Sequence, residues 1–137
     1  MKSRIAVLLV LLALFASTLA CGSSAPSAPA GVSNVVMSTD KEGTNKTTTF
    51  APADTIYVSF DVNQVDKGAS FDIKWYALNV SGQDPNTPFL TSNYVYNSES
   101  SISAHINSTS GGFPAGQYNV EIDLNGAKVA EQQFTIQ

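Results

Sequence analysis

One histidine, one cysteine and eleven carboxylates are the residues that could carry chemistry in this chain. Their spacing narrows what that chemistry could be. His105 lies in "SISAHI", where strand alternation turns it to solvent, and the sequence offers no second histidine for a dyad or a zinc site. Asp40, Glu42 and Asn45 in "STDKEGTNK" supply oxygen ligands around a glycine, a pattern that hints at calcium. The spacing fits no EF-hand and Lys41 and Lys46 intrude, so a solvated turn is the simpler reading. Asp61, Asp72, Glu121 and Asp123 alternate with apolar residues and read as outer-face strand positions, whereas glycoside hydrolysis needs two carboxylates converging in a cleft. No catalytic residue, metal ligand or cofactor follows from these positions. The expectation is a protein that is not an enzyme.

Cys21 is the exception. It stands in "FASTLACGSSAPSAP", after an apolar run and before small residues only. A core thiol needs apolar surroundings, which "GSSAPSAPAG" cannot supply. An internal disulfide needs a second cysteine, and a nucleophile needs a base or a positive field close by. The preceding "MKSRIAVLLVLLALFASTLA" has a short basic start at Lys2 and Arg4, apolar residues from Ile5 to Ala16, and small residues from Ser17. That is the three-part pattern of an export signal. A membrane-spanning helix needs about 20 apolar residues, more than this run holds.

A cysteine just past a small residue at the end of such a run resembles the lipobox of bacterial lipoproteins. Leu19 and Ala20 match that family's preceding positions, and Thr18 stands where leucine is most frequent. The resemblance implies cleavage after residue 20 and lipid on the Cys21 sulfur. Two or three acyl chains, at about 0.8 kcal/mol per buried methylene, would make the anchor effectively permanent. It further implies an exported, extracytoplasmic protein held on a membrane through Cys21, at the cell surface, in the periplasm or on an outer membrane. Gly22 replaces the aspartate that favours inner-membrane retention in enteric-type lipoproteins, so both destinations stay open. Three Asn-X-Ser/Thr sequons, at Asn45, Asn79 and Asn107, carry little weight in a chain so rich in these residues, the more so because the lipobox resemblance implies a bacterial source.

Loss of the leader removes Lys2 and Arg4, leaving five basic against eleven acidic residues and moving the formal charge from −4 to −6. No basic cluster remains to neutralise phosphates, which argues against a nucleic-acid partner. Residues 21–31 form the anchor and a Gly/Ser/Ala/Pro tether, which reaches roughly 30 Å if extended. Residues 32–137 are left for one domain.

Those residues alternate. Ile56, Val58 and Phe60 share one side of "TIYVSFD"; Phe71, Ile73 and Trp75 share one side of "SFDIKWYA". Ile102, Ala104 and Ile106 follow the same rule, as do Tyr118, Val120, Ile122 and Leu124. "AKVAEQQFTI" changes parity between Val129 and Phe134, which predicts a bulge. Asn125-Gly126 before it is a strong hairpin signal. "NVVMS" opens the series, and "PFLTSNYVY" holds one or two further strands. Short strands without a helical period predict an all-β sandwich or barrel. Trp75, with "GGFPAGQYNVEI" leading into a strand that starts near Tyr118, resembles immunoglobulin-like domains without the disulfide, of the fibronectin III or bacterial kind. "FAPADTIYVSF" and "FPAGQYNVEIDLNGAKVAEQQFTI" together resemble small bacterial lipoproteins carrying one such C-terminal domain. The resemblance implies an immunoglobulin-like antiparallel β-sandwich of about seven strands and no particular activity.

Function is therefore expected to lie in binding. Tyr76 is predicted outward, and Tyr94 and Tyr96 share one side of their segment, so the three are the candidate surface for a protein or glycan partner. Leu90 shares the parity of Tyr94 and Tyr96, which equally allows them a place in the core. An interaction or accessory module is the first expectation. A carbohydrate-binding module using the tyrosines is the second. A protease inhibitor presenting the loop "GQDPNTPF" (82–89) is the third.

Overall fold

The computed structural model describes residues 30–137. The leader, Cys21 and all of the tether but Ala30 and Gly31 lie outside the described residues. Eight strands follow in order: β1 Gly31–Ser38, β2 Thr49–Phe50, β3 Ile56–Asn63, β4 Ser70–Asn79, β5 Leu90–Val95, β6 Ser101–Ile106, β7 Gly116–Leu124 and β8 Ala127–Ile136. They form a three-stranded sheet in the order β1-β3-β6 and a five-stranded sheet in the order β2-β8-β7-β4-β5. No helix occurs among the described residues. The two sheets form a β-sandwich.

The inward residues are the alternating ones. Ile56, Val58 and Phe60 on β3 meet Phe71, Ile73 and Trp75 on β4, and all are fully buried. Tyr118, Val120 and Ile122 continue the core along β7. Aromatic rings join the strands. Phe134 stacks on Tyr118 at 5.4 Å between centroids and meets Trp75 edge-on at 5.9 Å. Offset and edge-to-face arrangements of this kind add to simple burial.

The bulge lies where the parity changes. Ile122 pairs with Ala130 and Asp123 with Lys128, so Val129 has no opposite residue and sits exposed. The hairpin before it closes through Asn125 and Gly126, both with positive φ (51° and 83°), as a two-residue turn with right-handed strand twist requires. Asn125 also bonds across to β4: its N–H donates to the Ser70 carbonyl, and its Oδ1 accepts from the Ser70 N–H.

The structure differs from expectation in two places. There are eight strands, because Thr49 and Phe50 pair parallel with Thr135 and Ile136. Two residues are too few to show alternation, yet Phe50 is buried and meets Phe134 edge-on at 5.8 Å. "PFLTSNYVY" yields one of the one or two strands expected, β5, which forms an edge. Asp123, expected on the outer face, is only 4% exposed. It does lie on the outer face, but of a strand flanked on both sides, and the Lys74 ammonium of β4 closes over it as an ion pair.

Trp75 fills the centre of this arrangement. Trp75→Ala should cost about 3–5 kcal/mol, as large-to-small core substitutions do. Urea denaturation should show that loss; an unchanged midpoint would contradict the packing described.

Candidate functional site

The residues singled out from sequence are dispersed. Tyr76 projects from the outer face of β4, half-buried, with its hydroxyl 3.5 Å from Glu121. Burial first, and then the Glu121 carboxylate, push the phenol above its ordinary value. Tyr94 pairs with the inward Phe71 and therefore faces the other way. Tyr94 and Tyr96 pack against the core, Tyr96 edge-on to Phe71 at 6.2 Å. The three tyrosines occupy opposite faces of one sheet and form no common surface. Cys21 lies outside the described residues.

The polar candidates serve their own loops. The Asp40 carboxylate accepts from the Thr44 hydroxyl (2.6 Å), the Thr44 N–H (3.0 Å) and the Asn45 N–H (2.6 Å), which hold it below the usual range. Among the described residues no three His, Cys, Asp or Glu side chains converge as a metal site requires. His105 is exposed on β6, its ring 5.2 Å from that of its cross-strand neighbour Tyr57. Glu121 and Asp123 share Lys74, and Lys128 bridges Glu121 and Glu131.

The concave feature is elsewhere. A cavity of about 320 Å³ opens where β4 ends, β5 begins, β6 ends and β7 begins. Ala77, Leu90, Ile106, Phe113 and Tyr118 give it an apolar lining, and Asn107 is among its polar members. The size falls at the lower end of the range of about 300–1,000 Å³ typical of ligand pockets.

Both walls are fixed by local bonds. On one side the 80–89 loop turns on Asp84, whose carboxylate accepts from the Asn86 N–H (3.0 Å) and the Thr87 hydroxyl (2.8 Å). The Phe89 N–H then donates to the Trp75 carbonyl (2.9 Å), and the Phe89 ring lies edge-on to Tyr118 at 6.1 Å. On the other side the Tyr118 hydroxyl donates to the Pro114 carbonyl (2.7 Å) and the Phe113 N–H to the Pro52 carbonyl (2.8 Å). Gly112 makes that docking possible. Its φ is +80°, and a Cβ there would fall 2.9 Å from that of Pro52.

The cavity also has a defined place on the molecule. Gly31 pairs with Asn63 at one end of the three-stranded sheet, and Ile56 with Ile106 at the other. The chain therefore enters the sandwich at the end opposite the cavity.

No protein-family model matches the chain. No curated protein matches it either. Solved structures do. The soluble domain of PmoD from Methylocystis sp. ATCC 49242 (Rockwell) superposes with a TM-score of 0.53 at 12% identity, over 77% of this chain and 90% of that one. The alkylpurine DNA glycosylase AlkC of Pseudomonas fluorescens, bound to DNA containing an abasic site analogue, gives 0.53 and 12% over 80% of this chain. Here the match spans only 31% of the glycosylase. The likeness is one of fold.

Near the opposite end of β5, Glu99 is held down to about 2, first by the Tyr94 hydroxyl and then by N–H groups including those of Ser98 and Asn97. A carboxyl lowered on folding contributes stability above its ordinary value of 4.5, lost as pH falls towards 2. Between pH 5 and pH 2.5, Glu99→Gln should therefore lose less of its denaturation midpoint than the parent. Parallel acid profiles would contradict this.

Proposed function

We propose that the chain is a lipid-anchored lipoprotein of a bacterial envelope whose immunoglobulin-like sandwich presents a non-catalytic recognition site away from the membrane. The observation that carries this reading is the position of the apolar cavity, at the end of the sandwich opposite Gly31. A chain anchored at Cys21 and tethered through Gly22–Ala30 would leave the cavity at the end away from its attachment.

The immunoglobulin-like reading draws support from strand order. Taking β1, β3 and β6 as A, B and E, and β4, β5, β7 and β8 as C, C′, F and G, gives the sheets A-B-E and G-F-C-C′, with the two-residue β2 added in parallel beside G. Trp75 then lies on strand C, and Tyr118 ties the start of strand F to the preceding turn. The lipoprotein reading draws on the leader and Cys21 alone.

A second reading, protease inhibition by the 82–89 loop, gains from the Asp84 turn that fixes this exposed segment. Carbohydrate binding at Tyr76 gains nothing comparable, since its hydroxyl faces Glu121 and its ring is half-buried.

Metabolic labelling with palmitate should mark the parent and leave Cys21→Ala unlabelled; equal labelling would overturn the anchor. A photo-reactive residue replacing Gln83 should capture an envelope component in intact cells, while one replacing Asn63, at the tether end, should not. The reverse pattern would overturn recognition at the cavity end. Substrate turnover abolished by one point mutation would overturn the non-catalytic reading.

A further inference from the structure

The cavity adjoins an unprotected sheet edge. β5 is the last strand of its sheet, and its other side pairs with no strand among the described residues. Natural edges carry charges, prolines or bulges that deter further pairing. β1 is bulged between Ser33 and Val36, β2 has two residues, and β6 exposes no large apolar side chain. The β5 sequence, "LTSNYV", has no charge, proline or bulge. Phe89, Leu90 and Val95 are 40%, 41% and 62% exposed, three of the four exposed large apolar side chains among the described residues.

Main-chain groups on this edge are available. The Tyr96 N–H donates to the Ala69 carbonyl at 2.8 Å. In the register Ser70↔Val95 to Trp75↔Leu90, antiparallel alternation then turns Leu90, Ser92 and Tyr94 towards β4. The N–H and C=O groups of Thr91, Asn93 and Val95 face outward. Leu90 on β5 and Ile106 on β6, both edge strands, line the cavity, so it reaches the gap between the two sheet edges.

We propose that β5 and the cavity form one site for an extended peptide segment of a partner protein, which adds as a strand along Thr91–Val95 and inserts an aromatic side chain between the sheets. This rests on the reading of the cavity end as the recognition site, and names its ligand. Main-chain pairing supplies affinity in such strand addition, and a side-chain pocket supplies specificity.

Other occupants fit less well. The protein's own segment outside the structure enters at the far end, and Gly22–Ala30 offers no side chain larger than proline. A second copy pairing through β5 would offer Leu90, Ser92 and Tyr94 on the inward side. Leu90 already lines its own cavity, Ser92 is small, and Tyr94 is packed on its own core beside Glu99. Charge points the same way. Residues 80–90 and 107–116 hold one charged residue, Asp84, which is occupied by its own turn. The part of the partner segment that enters the cavity is therefore neutral and apolar.

The test is selection of a displayed library of random nonapeptides on the purified full chain in detergent micelles. Enriched sequences should alternate β-branched residues and share one aromatic position. Replacing that aromatic by alanine should weaken binding about tenfold or more. Thr91→Pro, which removes an outward N–H, and Thr91→Glu, which keeps it, faces Lys74 and charges the edge, should both abolish recovery with the melting temperature retained. Ala77→Leu, which fills the cavity, should erase the aromatic preference while leaving weaker binding. Enrichment indifferent to both Thr91 variants, no enrichment at all, or a dimer dissociated by Thr91→Glu would each overturn the proposal. Gln83 cross-linking that persists after such a failure would leave recognition at the cavity end standing and remove only the strand-adding peptide.

Discussion

The five-stranded sheet packs around Phe134, whose ring meets Phe50, Trp75 and Tyr118 on three other strands. That contact depends on the extra residue at Val129. Ala127 opposes the inward Leu124, and uninterrupted alternation from there would carry Phe134 and Ile136 to the outer face. The bulge resets the period, so Ala130, Gln132, Phe134 and Ile136 share the core side. A one-residue slip exchanges the two faces of a strand. Here a local irregularity next to a tight hairpin determines what lies beneath Trp75 and whether β2 has a ring to dock against.

From Phe134 the dependence runs outward to the cavity. Tyr118 stacks on Phe134 and is tied to Pro114, which fixes the loop that brings Phe113 to the cavity wall. Phe89 rests against the same tyrosine, and its N–H is bound to the carbonyl of Trp75. The rim is thus an extension of the core, and its shape needs no ligand to form it. Preformed sites of this kind avoid much of the ordering cost of binding.

The strands that alternate were legible in sequence because each has one buried and one open face: β3, β4 and β7 give their inward residues directly. The bulge was legible for the same reason, as a break in the period between Val129 and Phe134. β2 was not, since two residues carry no period. The burial of Asp123 depends on Lys74 and on the crowding of a central strand, neither visible in "VEIDL". The cavity was hidden for a different reason. Its lining residues are as apolar as the filled core, and they come from four separated segments. The available signal was Ala77, a small residue ending the bulky inward series Phe71, Ile73 and Trp75. The tyrosines misled because parity relates residues within one strand and is silent about which faces of two strands coincide.

The antiparallel pairing of β1 with β3 has a mechanical side. Gly31 leaves the sandwich at one end, and β1 runs from there along β3 towards the other. A pull on Gly31 against a load held at the cavity end would act along the strand axes. Such a pull shears the β1–β3 ladder, loading its bonds together, where a transverse pull would peel them apart in turn. Resistance would then come from the full length of β1, from Gly31↔Asn63 to Ser38↔Tyr57, with the offset at Asn34 as its one interruption. A domain strung this way bears tension best along the line between Gly31 and its opposite end.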